Sequence, residues 1–267
     1  MTAAKIDRVR SELDGDDDRV LFADWARSAP TRRGSSRSGA GSSTSKVPAT
    51  APSEGSESRR GRNPDELVES QRHESLLNLA FPDTPAFRLL CPYDTASLDG
   101  AVIEEAVRSH PYVVEEGIKR PSPSYRGLPA IAAPFSDPLP APPASVQELH
   151  FDLDSLDSVR RLVATRAADA QLDEERRSDL VLAVNEIATN SVRHSGRGLL
   201  RVWMGTRWLV CEVVDRGRIE NPLAGRQEPT PDQQDGRGLS IANRICDLVQ
   251  VRTFATGTVV RLHLQRS

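Results

Sequence analysis

The chain of 267 residues holds only three cysteines, Cys91, Cys211 and Cys246, far apart and with no C-x-x-C pair. That spacing argues against a zinc ribbon and fits a reducing compartment. A surplus of one charge is also missing. With 35 Lys and Arg against 38 Asp and Glu the formal net charge is -3, so there is no broad electrostatic footprint for nucleic acid or an anionic membrane. No apolar run approaches the roughly 20 residues of a spanning helix. The N-terminus, "MTAAKIDRVRSELDGDDD", has no apolar signal-peptide core. These absences lead to the expectation of a cytoplasmic protein with no direct nucleic-acid or membrane partner. The length and the 37% hydrophobic content suit two modest domains with disordered parts.

The chain changes character several times. In the N-terminal fragment, residues 1–24, "DRVLFAD" reads as a short buried strand, because Val20, Leu21 and Phe22 form a compact apolar run between charges. Residues 25–62 are rich in Ser, Gly, Arg and Pro, with Val47 the only branched aliphatic between Trp25 and Arg60. Such a segment cannot bury enough apolar area to offset its conformational entropy and is expected to be disordered. Order returns over 63–118. Asn63 suits an N-cap, Pro64 the first helical position, and Leu67, Leu76, Leu77 and Leu79 the apolar positions of a helix of about four turns. "FRLLCPYD" predicts a buried strand, and "SLDGAVIEEAVRSHPYV" a helix stopped near Pro111. The prolines recurring over 119–145 predict an extended, partly stiff linker.

The remainder, 146–267, reads as one compact domain. A strand near "QELHFDL" leads to a helix, "SLDSVRRLVATRAADA", and a second helix, "EERRSDLVLAVNEIATNSVRHS". Two strands follow, "LLRVWMG" and "RWLVCEVVD"; the first alternates Leu200, Val202 and Met204 against Arg201 and Trp203, as a sheet covered on one face should. "GLSIANRICDLVQV" gives a helix and the start of a strand, and "GTVVRLHLQ" a last alternating strand. Helices followed by a mostly antiparallel mixed sheet, with one more helix in its middle, make a two-layer α/β sandwich rather than a doubly wound parallel sheet.

Three short elements of this domain carry candidate chemistry. Glu186 and Asn190 are four residues apart, one above the other on a helix face. In "VVDRG", Asp215 ends a strand and Gly217 permits a tight turn. In "DGRGLS", Gly236 and Gly238 precede a helix whose free N–H groups and dipole would attract phosphate. Each alone has an ordinary explanation: solvated helix surface, a turn, a common Gly-x-Gly. Together they could supply a metal site, a base-reading carboxylate and an anion cradle.

That order resembles the GHKL ATPase superfamily, which includes histidine kinases and DNA gyrase, and within it the bacterial anti-sigma factor serine kinases of the partner-switching type. "NEIATNSVRHS" is similar to their N box, "VVDRG" to the first glycine box, "DGRGLSIANRICD" to the second, and Gly257 with Thr258 to the final Gly-Thr. The resemblance implies ATP and Mg²⁺ as cofactors. It assigns Mg²⁺ ligation to Asn190, orientation or deprotonation of the attacking hydroxyl to Glu186, and the adenine amino group to Asp215 with support from Thr258. Gly217 would approach the base, Gly236 and Gly238 the phosphates, and residues 218–235 would form a lid. The implied partners are a sigma factor and an anti-anti-sigma antagonist, with a homodimer as an open possibility. Two departures stand out. Ile219 occupies the place of a second glycine in the first glycine box, and no helical hairpin with a phosphoacceptor histidine precedes the domain. The second disfavours a sensor histidine kinase; the first keeps open a non-catalytic binding module with the same fold. Arg193 and His194, in the last helical turn, fit ordinary surface roles.

"RNPDELVESQRHESLLNLAF", "LLCPYDTASLD" and "SHPYV" resemble the C-terminal half of the MEDS sensory domain, whose first part is mostly absent here. Codons for Gly-Ile-Gly-Glu-Pro, such as GGG ATC GGA GAG CCG, read one base later give Gly-Ser-Glu-Ser-Arg, which stands at Gly55 to Arg59. Two explanations therefore stay open for Trp25 to Arg60: a disordered insertion, or a stretch translated out of frame relative to the family. Resequencing the gene tests the second. A family-like peptide in an alternative frame is its expected outcome; a confirmed frame without one overturns it.

Overall fold

A computed structural model of the protein describes residues 64–80, 90–93, 95, 96, 98–115, 117–127, 137–226 and 237–266. The strand expected at 18–24, the disorder expected over 25–62, and Gly236 lie outside the described residues.

Helix α1, Pro64–Ala80, begins at the expected proline. Its buried positions differ from the expected leucines: Leu76 is buried together with Glu69 and Ser75, while Leu67, Leu77 and Leu79 are half-buried. Helix α2, Gly100–Ser109, is capped by Asp99, whose carboxylate accepts from the Ala101 amide at 2.9 Å. The two helices are joined where Asn78 Nδ2 donates to the Ser109 carbonyl at 2.8 Å. The chain does not become linker at residue 119, since residues 119–121 are strand. It forms an antiparallel hairpin of β1, Tyr112–Glu115, and β2, Ile118–Pro121.

The strand expected at "FRLLCPYD" is corrected in its described part. Residues 90–93 are not strand, and Leu90 is 61% exposed. The physical reason is the lack of a partner: residues 90–93 pair with none of the described strands. An apolar run alone does not make a strand without a ladder to join.

The C-terminal part contains β3, Gln147–Asp152; α3, Leu156–Asp169; α4, Glu174–Ser195; β4, Arg197–Met204; β5, Trp208–Asp215; α5, Arg237–Ile245; β6, Leu248–Phe254; and β7, Gly257–Gln265. The five strands form one sheet in the order β3-β4-β5-β7-β6, with every neighbouring pair antiparallel. The cross-strand row Val202–Cys211–Leu262–Val249 faces the helices, as does the row Leu200–Val213–Val260–Val251. These side chains pack with Val159, Val163, Leu180, Val184 and Ile187 of α3 and α4 into the main core. Strand residues two apart share a face, which makes this α/β sandwich legible from alternation.

The reverse face is not the solvated surface that alternation suggests. Trp203, Glu212, Gln250, Arg252, Arg261 and His263 are all buried there. Arg261 donates to Glu212 Oε2 from Nε at 2.8 Å and from Nη2 at 2.6 Å, and its guanidinium lies 5.0 Å from the Trp203 ring centroid. Arg261 also donates to the Pro140 carbonyl at 2.7 Å, and Arg252 to the Asp137 carbonyl at 3.2 Å. The segment around residues 137–140 thus lies over the sheet as a strap. Carbonyls meet the guanidiniums there because a buried charge without partners costs several kcal/mol.

Two buried histidines give the fold a dependence on pH. Burial, with Arg261 nearby, holds His263 down at about 4, and burial with Arg226 does the same to His73. The unfolded chain protonates both at the ordinary value of 6.5, so it binds more protons than the folded state between 6.5 and 4. Each histidine therefore removes stability as pH falls through that window, by up to about 1.4 kcal/mol per pH unit. Urea denaturation of His263→Gln between pH 7 and 4.5 should show a slope shallower than wild type by one proton; an unchanged slope would refute this origin.

Candidate functional site

The corner of interest is built by the C-terminal half of α4, the adjoining ends of β5, β6 and β7, and the start of α5. α4 is a long helix with clear ends. Asp173 caps it by accepting from the Arg176 amide at 2.8 Å, Glu174 and Glu175 complement its dipole, and Gly196 ends it at φ +75°. Its stripe of Leu180, Ala183, Val184, Ile187 and Ala188 enters the core. Glu186 and Asn190 flank that stripe and are half-buried, not on the wet face. Neither side chain has a hydrogen-bond or ion-pair partner among the described residues, so both keep their polar atoms free for a ligand or water.

Sheet register assembles the second wall. Asp215 at the end of β5 stands opposite Thr258 of β7, which stands opposite Thr253 of β6. Asp215 is fixed at both oxygens: Ser191 Oγ donates to Oδ2 at 2.5 Å, and the Gly217 amide donates to Oδ1 at 2.6 Å. Thr258 Oγ1 donates to the Gly217 carbonyl at 2.8 Å and lies 3.3 Å from Thr253 Oγ1. A carboxylate has about four lone-pair directions, so Asp215 is oriented yet keeps capacity for a further donor.

Two glycines set the close approaches. Gly257, at φ +145°, lies so near β5 that a Cβ would stand 2.0 Å from the Asp215 carbonyl oxygen. A Cβ at Gly238 would stand 2.6 Å from Asn190 Nδ2 and 3.2 Å from the Glu186 Cβ. The first turn of α5 therefore rests directly on the Glu186 and Asn190 face.

Of the seven sequence-predicted site residues, Glu186, Asn190 and Gly238 are in contact in one group and Asp215, Gly217 and Thr258 in another, with Ser191, next to Asn190, joining α4 to the second group; Gly236 lies outside the described residues. Gly238 is turned toward α4. Ile219 packs partly buried against the main core, so the segment after the first glycine box is pinned by an apolar side chain. Sequence reading missed Ser191, although it sits inside the motif. Its signal was a serine on the helix's apolar stripe, four residues after Ile187, where a hydroxyl needs a partner.

The donor set suits a magnesium nucleotide better than a metal held by protein alone. Among the described residues no cluster of three or more His, Cys, Asp or Glu could hold an ion. Mg²⁺ commonly needs only one or two protein oxygens beside water and substrate phosphates, and the half-buried Asn190 side-chain oxygen fits that need.

Residues 149–264 match the family of histidine kinase-like ATPase domains, and residues 55–111 match the MEDS family, the methanogen/methylotroph, DcmR sensory domain. The protein thus carries a histidine kinase-like ATPase domain, for which ATP binding is implied, preceded by a MEDS domain. No curated protein matches the chain significantly. Among solved structures, the RsbU and RsbW domains of a Mycobacterium tuberculosis protein align at 20% identity and TM-score 0.35, covering 46% of this chain and 33% of that one. The Acinetobacter baumannii histidine kinase AdeS aligns at 10% identity and TM-score 0.27, covering 75% and 95%. No helix among the described residues is long and apolar enough to cross a membrane.

Ser191→Ala tests the orientation of Asp215. Loss of one part-buried bond to a carboxylate should cost about 1.5–3 kcal/mol in urea denaturation. No measurable loss would show that the hydroxyl does not hold the carboxylate.

Proposed function

We propose that the C-terminal domain binds ATP with Mg²⁺ and transfers the γ-phosphoryl group to a serine or threonine of a partner protein, in partner-switching control of a sigma factor. The observation that carries the reading is the half-buried pair Glu186 and Asn190, without a partner among the described residues, beneath the first turn of α5.

The roles follow from placement. Asp215, held by Ser191 and Gly217, accepts from the adenine amino group, and Thr258 fixes the Gly217 carbonyl beside it. Gly217 lets the backbone approach the base. Gly236 and Gly238 bring the chain to the phosphates at the start of α5, where free N–H groups favour anions. The Asn190 side-chain oxygen would hold Mg²⁺, which when bound would supply charge neutralisation at the phosphates. Glu186 takes the proton of the attacking hydroxyl as its oxygen bonds to the γ-phosphorus. The bond to the bridging oxygen breaks, and ADP leaves with that electron pair. Such transfer needs mostly positioning, so few side chains suffice. The antagonist is the phosphorylated partner, and the sigma factor is held when the antagonist is modified.

One observation favours a second reading, a partner-binding module without catalysis: Ile219 is packed into the core where a more open glycine would let the lid move. Paired substitutions separate the two. Asn190→Ala should abolish ATP binding in calorimetry. Glu186→Ala should retain binding and lose phosphotransfer by about 10²–10⁴-fold, the usual worth of a general base. Unchanged affinity in the first variant refutes the Mg²⁺ role, and transfer from neither wild type nor Glu186→Ala supports the binding module. Acid-labile phosphate on the protein itself would point instead to a histidine kinase.

A further inference from the structure

α1, within the segment matching the sensory family, meets the ATPase domain through charge. Glu69 is buried at 6% exposure and faces three arginines. Arg252 Nη1 of β6 lies 2.7 Å from Oε1, Arg72 Nη1 lies 3.6 Å from Oε2, and Arg226 Nη2 lies 3.8 Å from Oε2. Arg72 reaches across to donate to the Val251 carbonyl at 2.6 Å. Arg226 Nη1 donates to His73 Nδ1, one turn along α1, at 2.9 Å. One buried carboxylate thus faces one buried and two half-buried guanidiniums. Burial first, then repulsion by Arg72, pulls Arg226 down to about 10. Glu69 offsets part of that repulsion, beside the direct bond from Arg226 to His73.

The position of Arg226 matters for the nucleotide corner. Its neighbour Gly225, at φ +73°, packs so tightly that a Cβ would stand 2.4 Å from the Leu239 Cβ, and its carbonyl accepts from Asn243 Nδ2 at 3.1 Å. Leu239 and Asn243 belong to α5, and the residue before Leu239 is Gly238, which rests on Asn190. A continuous series of contacts thus runs from Glu69 through Arg226 and Gly225 to α5, and from α5 to Asn190.

We propose that Glu69 of α1 is a positioning residue for the nucleotide site: by holding Arg226 it seats the turn at Gly225 against α5 and sets how α5 bears on Asn190. Through this link the segment matching the sensory family adjusts the affinity of the ATPase domain for nucleotide. The inference rests on the ATP reading above, and it concerns a residue that touches neither nucleotide nor phosphoacceptor.

The test is calorimetry of MgATP binding to the full chain in four forms: wild type, Glu69→Gln, Arg226→Gln and the double variant. Arg226→Gln removes the same link while leaving Glu69 paired with Arg252, so it reports even if Glu69→Gln folds poorly. Each single variant should bind MgATP at least ~5-fold more weakly, the lower end of usual coupling between sites. The double variant should be no weaker than the poorer single one. A fall in Tm with unchanged MgATP affinity in both single variants would make the contact simple packing and overturn the inference. Additive losses would also overturn it, because the two residues would then act separately. If wild type itself binds no MgATP, the ATP reading falls first and this inference with it, an outcome distinct from the other two.

Discussion

α5 meets α4 at a separation that leaves no room for a methyl group at residue 238, and the rest of the corner depends on that closeness. Were the helices further apart, Glu186 and Asn190 would be ordinary wet side chains. Pressed beneath the first turn of α5, they are half-removed from water without partners among the described residues. The same approach brings the donor end of one helix over the polar face of another, so that free N–H groups and two polar side chains share one small volume. The sheet supplies the fixed reference. Asp215 and Thr258 are register partners, and a slip of one residue between β5 and β7 would turn one of them into the core.

The reverse side of the sheet follows a different physical logic. There the fold buries charge in place of apolar volume, with Arg201 bridging Glu148 and Glu212, and Arg261 paired with Glu212. Such pairs are often no more stabilising than apolar residues of equal volume, but they are intolerant of losing one member. They also demand acceptors in defined places, which the carbonyls of Pro140, Asp137 and Val251 provide. The sheet's two faces thus differ in kind: one packs by shape and the other by matched polarity.

Much of this was legible beforehand. Helix α4 was delimited by an acidic start and a glycine end, and the C-terminal strands by alternation, because those patterns express local geometry. The motif residues of the site were likewise found in order along the chain. Trp203 was assigned to the solvated face, and it is buried with the Arg261 guanidinium over its ring, a long-range circumstance that alternation does not encode. The strand expected near Leu90 failed for a similar reason, since pairing requires a partner the local run cannot specify. Ser191 was within sight yet unread, because its importance lies in Asp215, 24 residues further on.

The strap has a consequence for where this ATPase domain physically begins. The family match starts at residue 149, yet the carbonyls that cap Arg252 and Arg261 come from Asp137 and Pro140. A fragment cut at the homology boundary would leave Arg261 its bonds to Glu212 but strip it of the Pro140 carbonyl, and would strip Arg252 of the Asp137 carbonyl, uncovering a cationic surface beside Trp203. The unit that recombines between genes and the unit that closes over its own charges are therefore not the same length of chain.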